Sequence, residues 1–320
     1  MALQASGEIK ISEIITELGY VGGGSHKFAF GQTGAYGTIN TANLAANRPD
    51  QSQPHAMSEW YSYDHSLSAN AKYWNFADTQ GLGFSASSAR ATGNDFSISF
   101  WINPKWANSD TNTMLFMATN STTATSNRVF FMYDYGLNRF IARFRSNAIN
   151  SRGTHWNLNS NSAQTGISSG KWHGTQKGNV NSASMAHIVL TFDISQTSGM
   201  AAFEMYWNGV RMPNKLTSLT SSFFHFNMEN IYINRSNNAT GNSRASEYDN
   251  YTFFDNKLLS QTEITNLYNS GTSLPAADLG EDDNVYFAFD AETDPPTAVD
   301  GDDFSITWSN FVDAGSAVDY

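Results

Sequence analysis

The stretch FSISFWI, at residues 96–102, determines how the rest of the sequence is interpreted. Phe and Ile alternate at its first, third, fifth and seventh positions, and Ser, Ser and Trp lie between them. Successive side chains of a β-strand point to opposite faces of the sheet, so this pattern predicts a strand with one buried face. The buried face needs a second layer to cover it, which favours a β-sandwich.

Segments of similar character recur along the chain. Further strands are predicted from Met114 to Ala118, Arg128 to Tyr133, Arg139 to Arg145, His187 to Asp193, Ala202 to Trp207, Asn230 to Arg235 and Tyr248 to Phe254, with closing strands from Val285 to Asp290 and Phe304 to Trp308. Asn208-Gly209 predicts a type I′ hairpin turn, because both central residues of that turn need a positive φ.

The composition agrees with a mostly β chain. Aromatic residues make up 14% of the 320 residues, only 15% are charged, and there is no Cys. Aromatic side chains suit the pleated surface of a sheet, and stability without disulfides must come from the core or from oligomerisation. One helix is predicted in this part of the chain, at residues 260–268, where Ser260 and Glu263 have the spacing of a capping box.

Together these segments resemble the concanavalin A-like, laminin G-like family of lectin domains. Residues 96–104 are similar to an early strand of that family, and residues 170–173 with 187–193 are similar to its central strand. The hairpin and the helix complete a similarity that spans residues 70–275. The resemblance implies an all-β, jelly-roll β-sandwich. Residues 174–186 separate segments that are nearly contiguous in the family, which predicts an inserted surface loop.

Residues 1–68 differ in character from the rest of the chain. The stretch ISEIITELG at residues 11–19 predicts a two-turn helix with Ser12 as its N-cap. A helix this short is marginal in water, so we expect its apolar side chains to dock on this chain or on a neighbour. An aromatic cluster at residues 55–65 forms a second docking point, in which we expect Trp60, Tyr61 and Tyr63 to be exposed.

MALQASG at residues 1–7, the helix, and MSEWYSY at residues 57–63 resemble the amino-terminal module of tailed-bacteriophage structural proteins. The resemblance implies a virion-attachment module at residues 1–68, followed by the sandwich at residues 69–275 and by acidic strands at residues 276–320 that complete it. The implied virion-docking side chains are Ile11, Ile14, Ile15, Leu18, Trp60 and Tyr61.

The two resemblances imply a non-enzymatic virion protein, either a fibre, a tail-associated protein or a capsid decoration. It would present a lectin-like domain for adhesion to host-surface glycans. We expect other virion proteins as partners, and a homo-oligomer with a trimer favoured, because a short amphipathic helix can bury its apolar stripe against copies of itself. The absence of Cys suits assembly in a reducing host cytoplasm. A free-standing carbohydrate-binding module and a glycosidase or depolymerase are the alternatives.

A catalytic site was sought because the same fold carries glucanases, whose acids lie on one strand as Glu-x-Asp-x-x-Glu. The nearest match is EYDNYT at residues 247–252, which ends in Thr252. A hydroxyl of that type cannot protonate a leaving oxygen at neutral pH, so we predict no catalytic residues. Glu247 and Asp249 are interpreted as a polar strand edge, although Glu204 on a neighbouring strand remains an alternative proton donor.

A glycan site is predicted in the long segment from Ser146 to Ser184, which is interpreted as a structureless loop. Long loops of this kind in compact domains are usually functional or disordered. The segment supplies rings and amides of the type that bind sugars, and the predicted glycan-binding side chains are His155, Trp156, Asn157 and Asn159. Trp172, in contrast, is assigned to the core.

The acidic residues are unevenly placed. The net charge is −11, yet no Lys or Arg follows Lys257, so the preceding residues are nearly neutral. The composition offers no basic patch for nucleic acid, and no apolar run approaches the ~20 residues of a membrane span. The carboxyl-terminal acids favour a solvated face over a Ca²⁺ site. If Ca²⁺ binds, its ligands would be Asp282, Asp283, Asp300 and Asp302.

Overall fold

A computed structural model defines the fold for a large part of the chain. It describes residues 10, 13–14, 60, 63, 72–78, 80–91, 95–106, 112–120, 127–145, 151–165, 172, 185–193, 195–196, 202–220, 227–235, 244–268, 285–289, 306–307 and 316–319.

Within the described residues, two eight-stranded antiparallel sheets form an all-β jelly-roll sandwich, as the sequence predicted. Sheet A contains, in spatial order, β10 (Val210–Arg211), β9 (Phe203–Trp207), β8 (Ala186–Phe192), β3 (Phe96–Pro104), β13 (Ser246–Asp255), β1 (Lys72–Phe76) and β16 (Ser316–Asp319), and β14 (Val285–Phe289) pairs with β13. Sheet B contains β11 (Leu216–Thr220), β7 (Ser151–Asn157), β6 (Arg139–Arg145), β5 (Arg128–Asp134), β4 (Thr113–Thr119), β12 (Asn227–Ile233), β2 (Leu82–Ala91) and β15 (Ile306–Thr307).

The core lies between the inner faces of the two sheets and is rich in aromatic rings. Phe100 stacks on Tyr251 with ring centroids 4.9 Å apart, and Phe144 of sheet B meets Phe192 of sheet A at 4.8 Å. Trp172 is buried and makes an edge-to-face contact with Trp207 at 5.0 Å, which confirms its place in the core. Such aromatic pairs stabilise by about 0.5–1.5 kcal/mol beyond the effect of burial.

The predicted strand is confirmed as β3, but it is buried on both faces and not on one. All nine of its residues are buried, including Ser97, Ser99 and Trp101 on the face that was expected to be exposed. The strand lies in the middle of sheet A, between β8 and β13. Its outward side chains are covered by helix α2 (Gln261–Tyr268) and by neighbouring segments, so one face was not left to solvent.

The predicted hairpin and helix are both present and contact each other. Asn208 and Gly209 have φ values of 49° and 77°, as a type I′ turn requires. Helix α2 begins with the predicted capping box, in which Ser260 Oγ accepts from the Glu263 N–H at 3.3 Å and Glu263 Oε2 accepts from the Ser260 N–H at 2.7 Å. A side chain at Gly209 would meet the Tyr268 ring at 3.2 Å, so glycine is required there.

The segment interpreted as a structureless loop is only partly a loop. Residues 151–157 form β7, which pairs with β6 and β11, and a 3₁₀ turn (Asn159–Asn161) and the short helix α1 (Ser162–Thr165) follow it. The prediction failed because the strand SRGTHWN lacks apolar alternation over most of its length. The predicted insertion at residues 174–186 lies almost wholly outside the described residues.

The described part of residues 1–68 contradicts the expected exposure of its aromatic side chains. Trp60 and Tyr63 are 2% and 0% exposed, and their rings make an edge-to-face contact at 5.1 Å. Ile14 is also fully buried, and residues 13–14 are helical, while the rest of the predicted helix at residues 11–19 lies outside the described residues. The remaining predicted docking residues, Ile11, Ile15, Leu18 and Tyr61, lie outside the described residues.

Gly153 offers a test of the register between β6 and β7. A Cβ atom at this position would lie 3.0 Å from both Cα and Cβ of Arg143, and closer still to the Ala142 carbonyl oxygen. Because these are backbone or near-backbone atoms, we expect Gly153→Ala to lower the free energy of unfolding by about 1–3 kcal/mol. Gly136→Ala is the matched control, since its Cβ would meet only the end of Asp134 at 3.3 Å. Equal urea-denaturation midpoints for the two variants would contradict the close approach of β7 to β6.

Candidate functional site

The outer face of sheet A is closed by packing. Helix α2 lies on it and forms a small apolar cluster in which Val189 and Phe254 of the sheet contact Leu259 and Ile264. All four side chains are at most 5% exposed. This face therefore contributes to stability and encloses several polar side chains.

His187 is one of these enclosed polar side chains. Its Nε2 lies 2.9 Å from Ser99 Oγ, and its ring contacts Trp101 at 5.0 Å and Tyr268 at 6.0 Å. Burial lowers the pKa of His187 to about 3, so the imidazole is neutral at physiological pH. The residue is structural, as its position within an apolar strand suggested.

Glu247 and Asp249 lie on the same outer face, but they do not form a strand edge as the sequence analysis interpreted them. Strand β13 is an interior strand, paired with β3 on one side and with β1 and β14 on the other. Glu247 is 7% exposed and accepts from Asn103 Nδ2, while Lys105 Nζ lies 2.9 Å from its other oxygen. Asp249 is 2% exposed and accepts from the backbone N–H of Asn250 at 2.8 Å.

A β-bulge between Asp249 and Thr252 aligns the motif on one face. Asn250, with φ of 44°, is part of the bulge, so that Asp249 pairs with Trp101 and Thr252 with Ser99. Thr252 is fully buried and occupies the place where a third acid would stand. The arrangement therefore matches the spacing of a glucanase strand without its acid/base.

Glu204 does not supply the missing acid. Its strand, β9, is separated from β13 by β8 and β3, which places the two strands roughly 14 Å apart at ~4.8 Å per strand. Both carboxylate oxygens are already engaged, since Arg211 donates to them at 2.9 Å and 3.0 Å and Lys215 Nζ also contacts one of them. The alternative in which Glu204 acts as proton donor is therefore wrong.

The outer face of sheet B has a different character. Its floor is an apolar cluster that spans four strands and includes both aromatic and flexible side chains. The members of this cluster are Met114, Met117, Phe130, Ile141 and Tyr232, with the partly buried Met132 packed against them. Register confirms that they share one face, because Met132 pairs with Met114 on one side and with Ile141 on the other.

Arginine side chains surround this floor. Across the β5–β6 pair, Arg128 lies directly opposite Arg145, Phe130 opposite Arg143, and Asp134 opposite Arg139. The Arg128 guanidinium lies 5.8 Å from the centroid of the Phe130 ring, a cation–π geometry. We call the outer face of sheet B, with this floor and these four arginines, the arginine face.

The arginines of this face repel one another. Burial lowers the pKa of Arg143, and the nearby Arg139 and Arg145 lower it further. The pKa of Arg128 is lowered in the same way, by burial and then by Arg145. Arg139 is balanced by Asp134, at 3.2 Å from its Nε. Among the described residues, no comparable salt bridge is formed by Arg143 or Arg145.

Two of the four predicted glycan-binding side chains lie on the arginine face. His155 pairs with Ile141 and is half-buried, and Asn157 pairs with Arg139. The pKa of His155 is lowered, first by burial and then by Arg139 and Arg143. Asn159 is exposed at the start of the 3₁₀ turn, where its Oδ1 accepts from Asn138 Nδ2 at 2.8 Å.

The prediction that Trp156 binds a glycan is wrong. Its side chain points to the opposite side of β7, is 0% exposed and belongs to the core between the sheets. A fully buried ring offers no face on which a sugar could stack. The prediction erred because a Trp among polar residues was taken for a loop side chain, whereas the strand alternation turns it inward.

The basic patch formed by the four arginines was not predicted from the sequence. No basic patch was expected because residues 1–257 are nearly neutral in sum, but the fold gathers four arginines from residues 128–145 on one face. A signal was present in RFIARFR at residues 139–145. Its first, fifth and seventh positions are Arg, and a strand would place these on the side opposite Phe140 and Phe144.

No metal centre emerges from the part of the chain that the structure describes, in which no three His, Asp or Glu side chains are grouped for an ion. The four predicted Ca²⁺ ligands, Asp282, Asp283, Asp300 and Asp302, lie outside that part. The described helices are also too short or too polar for any of them to cross a membrane.

Comparisons with known proteins identify solved structures of similar fold. A heptameric SAP-like pentraxin from Limulus polyphemus matches 78% of this chain and 100% of its own, with 9% identity and a TM-score of 0.44. The binding domain of botulinum neurotoxin serotype D matches 64% of this chain and 47% of its own, with 12% identity and a TM-score of 0.38. A sialidase from Trypanosoma rangeli, in complex with 2,3-difluorosialic acid, matches 72% and 37%, with 13% identity and a TM-score of 0.38.

These similarities concern the fold alone. The matched region is less than two thirds of the sialidase and neurotoxin chains, and all identities are low. No protein-family model matches the sequence, and no curated protein matches it.

His187 provides a test of the closed face through pH. The unfolded chain protonates this imidazole near pH 6.5, but the folded protein does so only near pH 3. Between these values the unfolded state binds more protons, so stability is fully present above about pH 6.5 and falls as the pH is lowered. In the wild type, this imidazole should make the free energy of unfolding fall by about 2–3 kcal/mol between pH 7.5 and pH 4.5. In His187→Gln we expect that part of the decrease to be absent, as measured by urea denaturation. The half-buried His155, replaced in the same way, should have a smaller effect. An unchanged pH dependence in His187→Gln would refute the buried neutral imidazole.

Proposed function

We propose that this chain is a non-enzymatic binding protein whose sandwich holds a glycan on the arginine face. The observation that carries the proposal is the arrangement of that face, where polar side chains surround a floor of aromatic and flexible apolar groups. Binding sites for small polar ligands combine these two features, since apolar groups supply contact area and a few polar groups fix orientation. His155 and Asn157 supply hydrogen-bonding groups at one side of the floor.

The non-enzymatic part of the proposal follows from the state of the carboxylates on β13. A retaining glycosidase needs two accessible carboxyl groups ~5–5.5 Å apart, one of which must give and take a proton. Glu247 is buried and bonded to Asn103 and Lys105, and Asp249 is buried beside it. The third position is Thr252, so no described side chain is placed to protonate a leaving group there.

We further propose that the protein is a structural component of a tailed-bacteriophage virion, attached through residues 1–68. The support is the resemblance of residues 1–65 to the amino-terminal module of such proteins. Because Ile14 and Trp60 are buried within the chain, docking to other virion proteins would fall to the other members of the set, Ile11, Ile15, Leu18 and Tyr61. A homo-oligomer, with a trimer favoured, remains part of this proposal.

The glycan site can be tested by substitutions that leave the core intact. We expect the double variant His155→Ala/Asn157→Ala to weaken binding to a glycan identified on an array by about tenfold, because each loses a hydrogen bond of ~0.5–1.5 kcal/mol. Val210→Ala, at an exposed position of sheet A, is the control and should bind normally. Calorimetric titration measures both. Unchanged affinity in the double variant would contradict this location, and sugar release that is lost in Glu247→Gln would contradict a non-enzymatic protein.

The virion role is tested by truncation. Deleting residues 1–68 should leave a soluble sandwich with unchanged glycan binding, because the arginine face is built from residues 114–157 and 232. The truncated protein should fail to enter particles when it replaces the full chain during phage assembly, as judged by immunoblotting of purified virions. Normal incorporation of the truncated chain would count against attachment through this module.

A further inference from the structure

Three guanidinium groups converge at one corner of the arginine face. Arg128 and Arg145 are directly opposite each other across β5 and β6, and Arg143 lies two residues from Arg145 on the same face. Like charges directly opposite in an antiparallel pair destabilise it. A sequence selected for stability alone would avoid this pairing, and departures of this kind are expected where a site needs them.

Arg143 has lost water without gaining a protein partner. Its side chain is half-buried between Phe130 and Gly153, and its Nε atom is buried with no hydrogen-bond acceptor. A buried donor without an acceptor opposes folding. A guanidinium offers donors in a planar fork that matches the oxygens of a carboxylate or sulfate. An anionic ligand would supply the missing acceptor.

The arginines extend along β6 and thereby indicate the length of the ligand. Arg139, Arg143 and Arg145 share the outer face of this strand, and Ile141 lies between the first two. At ~3.4 Å per residue, Arg139 and Arg145 are roughly 20 Å apart. Asp134 already balances Arg139, so a ligand held by Arg128, Arg143 and Arg145 would continue along β6 past Ile141 towards Arg139, a length that a single sugar does not span.

We propose that the ligand of the arginine face is a linear acidic polysaccharide, whose carboxylate or sulfate groups pair with Arg128, Arg143 and Arg145. This inference rests on the proposed glycan-binding function and names the chemical class of its ligand. Between the anionic groups, the less polar faces of the sugar rings would lie against the partly exposed Met132, because Phe130 and Ile141 beneath it are only 7% and 6% exposed.

A glycan suits this face better than nucleic acid does. Nucleic-acid binding depends on neutralising many closely spaced phosphates with Lys and Arg, but this face holds four arginines on a chain with a net charge of −11. The overall charge repels a dense polyanion. A polysaccharide with about one anionic group per repeat carries far fewer charges per length than the one per ~1.7 Å of duplex DNA, and its sugar rings also have less polar faces.

The test compares polymers that share one backbone and variants that share one charge change. Dextran sulfate and carboxymethyl-dextran, both prepared with the same low degree of substitution, and neutral dextran are titrated against the full chain by calorimetry at low and moderate salt. Arg143→Gln removes the central guanidinium. Arg211→Gln, at the edge of sheet A, removes the same charge from the other sheet and is the control.

We expect the two charged dextrans to bind and neutral dextran not to bind, with affinity falling as salt rises. Arg143→Gln should weaken binding about tenfold or more, because it removes charge-assisted hydrogen bonds, while Arg211→Gln should bind as the wild type does. A preference for one charged dextran over the other would identify sulfate or carboxylate as the recognised group. The thermal unfolding temperature of Arg143→Gln should be no lower than that of the wild type, which separates lost binding from lost folding.

The other outcomes overturn the inference in distinguishable ways. Equal loss in both arginine variants would indicate unspecific attraction of charge. Equal competition by polyglutamate or by single-stranded DNA at the same charge concentration would assign the face to a protein or nucleic-acid partner instead. Binding of neutral glycans that is lost in His155→Ala/Asn157→Ala but kept in Arg143→Gln would overturn the acidic ligand and leave glycan binding standing. Binding of neither neutral nor acidic glycans would remove both.

Discussion

The inward packing of the aromatic side chains of sheet B fixes what its outer face can present. Phe140 and Phe144 of β6 point inward, where Phe140 lies 5.4 Å from Phe131 and Phe144 lies 4.8 Å from Phe192. Because the side-chain period of a strand is two, a slip of one residue would bury Arg143 and expose both rings. The packing that fixes the register of β6 therefore also keeps its arginines on the outer face.

The two outer faces put polar side chains to different uses. On sheet A, the buried Ser99 pairs with His187 Nε2 and the buried Glu247 pairs with Lys105, and His187 Nδ1, which has no partner among the described residues, belongs to an uncharged ring. On sheet B, Arg143 remains half-buried with an unpartnered Nε. Like charges on adjacent strands oppose folding, so the pairing of arginines on sheet B lowers stability. The contrast is what distinguishes a structural face from one suited to binding.

The sequence predicted elements whose signals are local and failed where the environment is set by distant residues. Alternation predicted β3, the Asn208-Gly209 pair predicted the hairpin, and Ser260 with Glu263 predicted the capped helix, because each pattern specifies its own geometry. Residues 151–157 lack alternation over most of their length, so neither their strand nor the inward Trp156 could be read from them. The arginine face depends on how β5 and β6 align, a relation between strands that a charge count along the chain does not contain.

The charge distribution gives the arginine face selectivity as well as attraction. The Debye length is about 8 Å at physiological ionic strength, so the net charge of −11 acts mainly on approaching molecules while Arg128, Arg143 and Arg145 act at contact. A ligand must then gain enough at short range to offset the general repulsion. Paired hydrogen bonds to a guanidinium, strengthened where Phe130 and Ile141 exclude water, provide such a gain. A sparse acidic polymer with apolar surface meets this condition, whereas a dense polyanion meets more repulsion along its whole length.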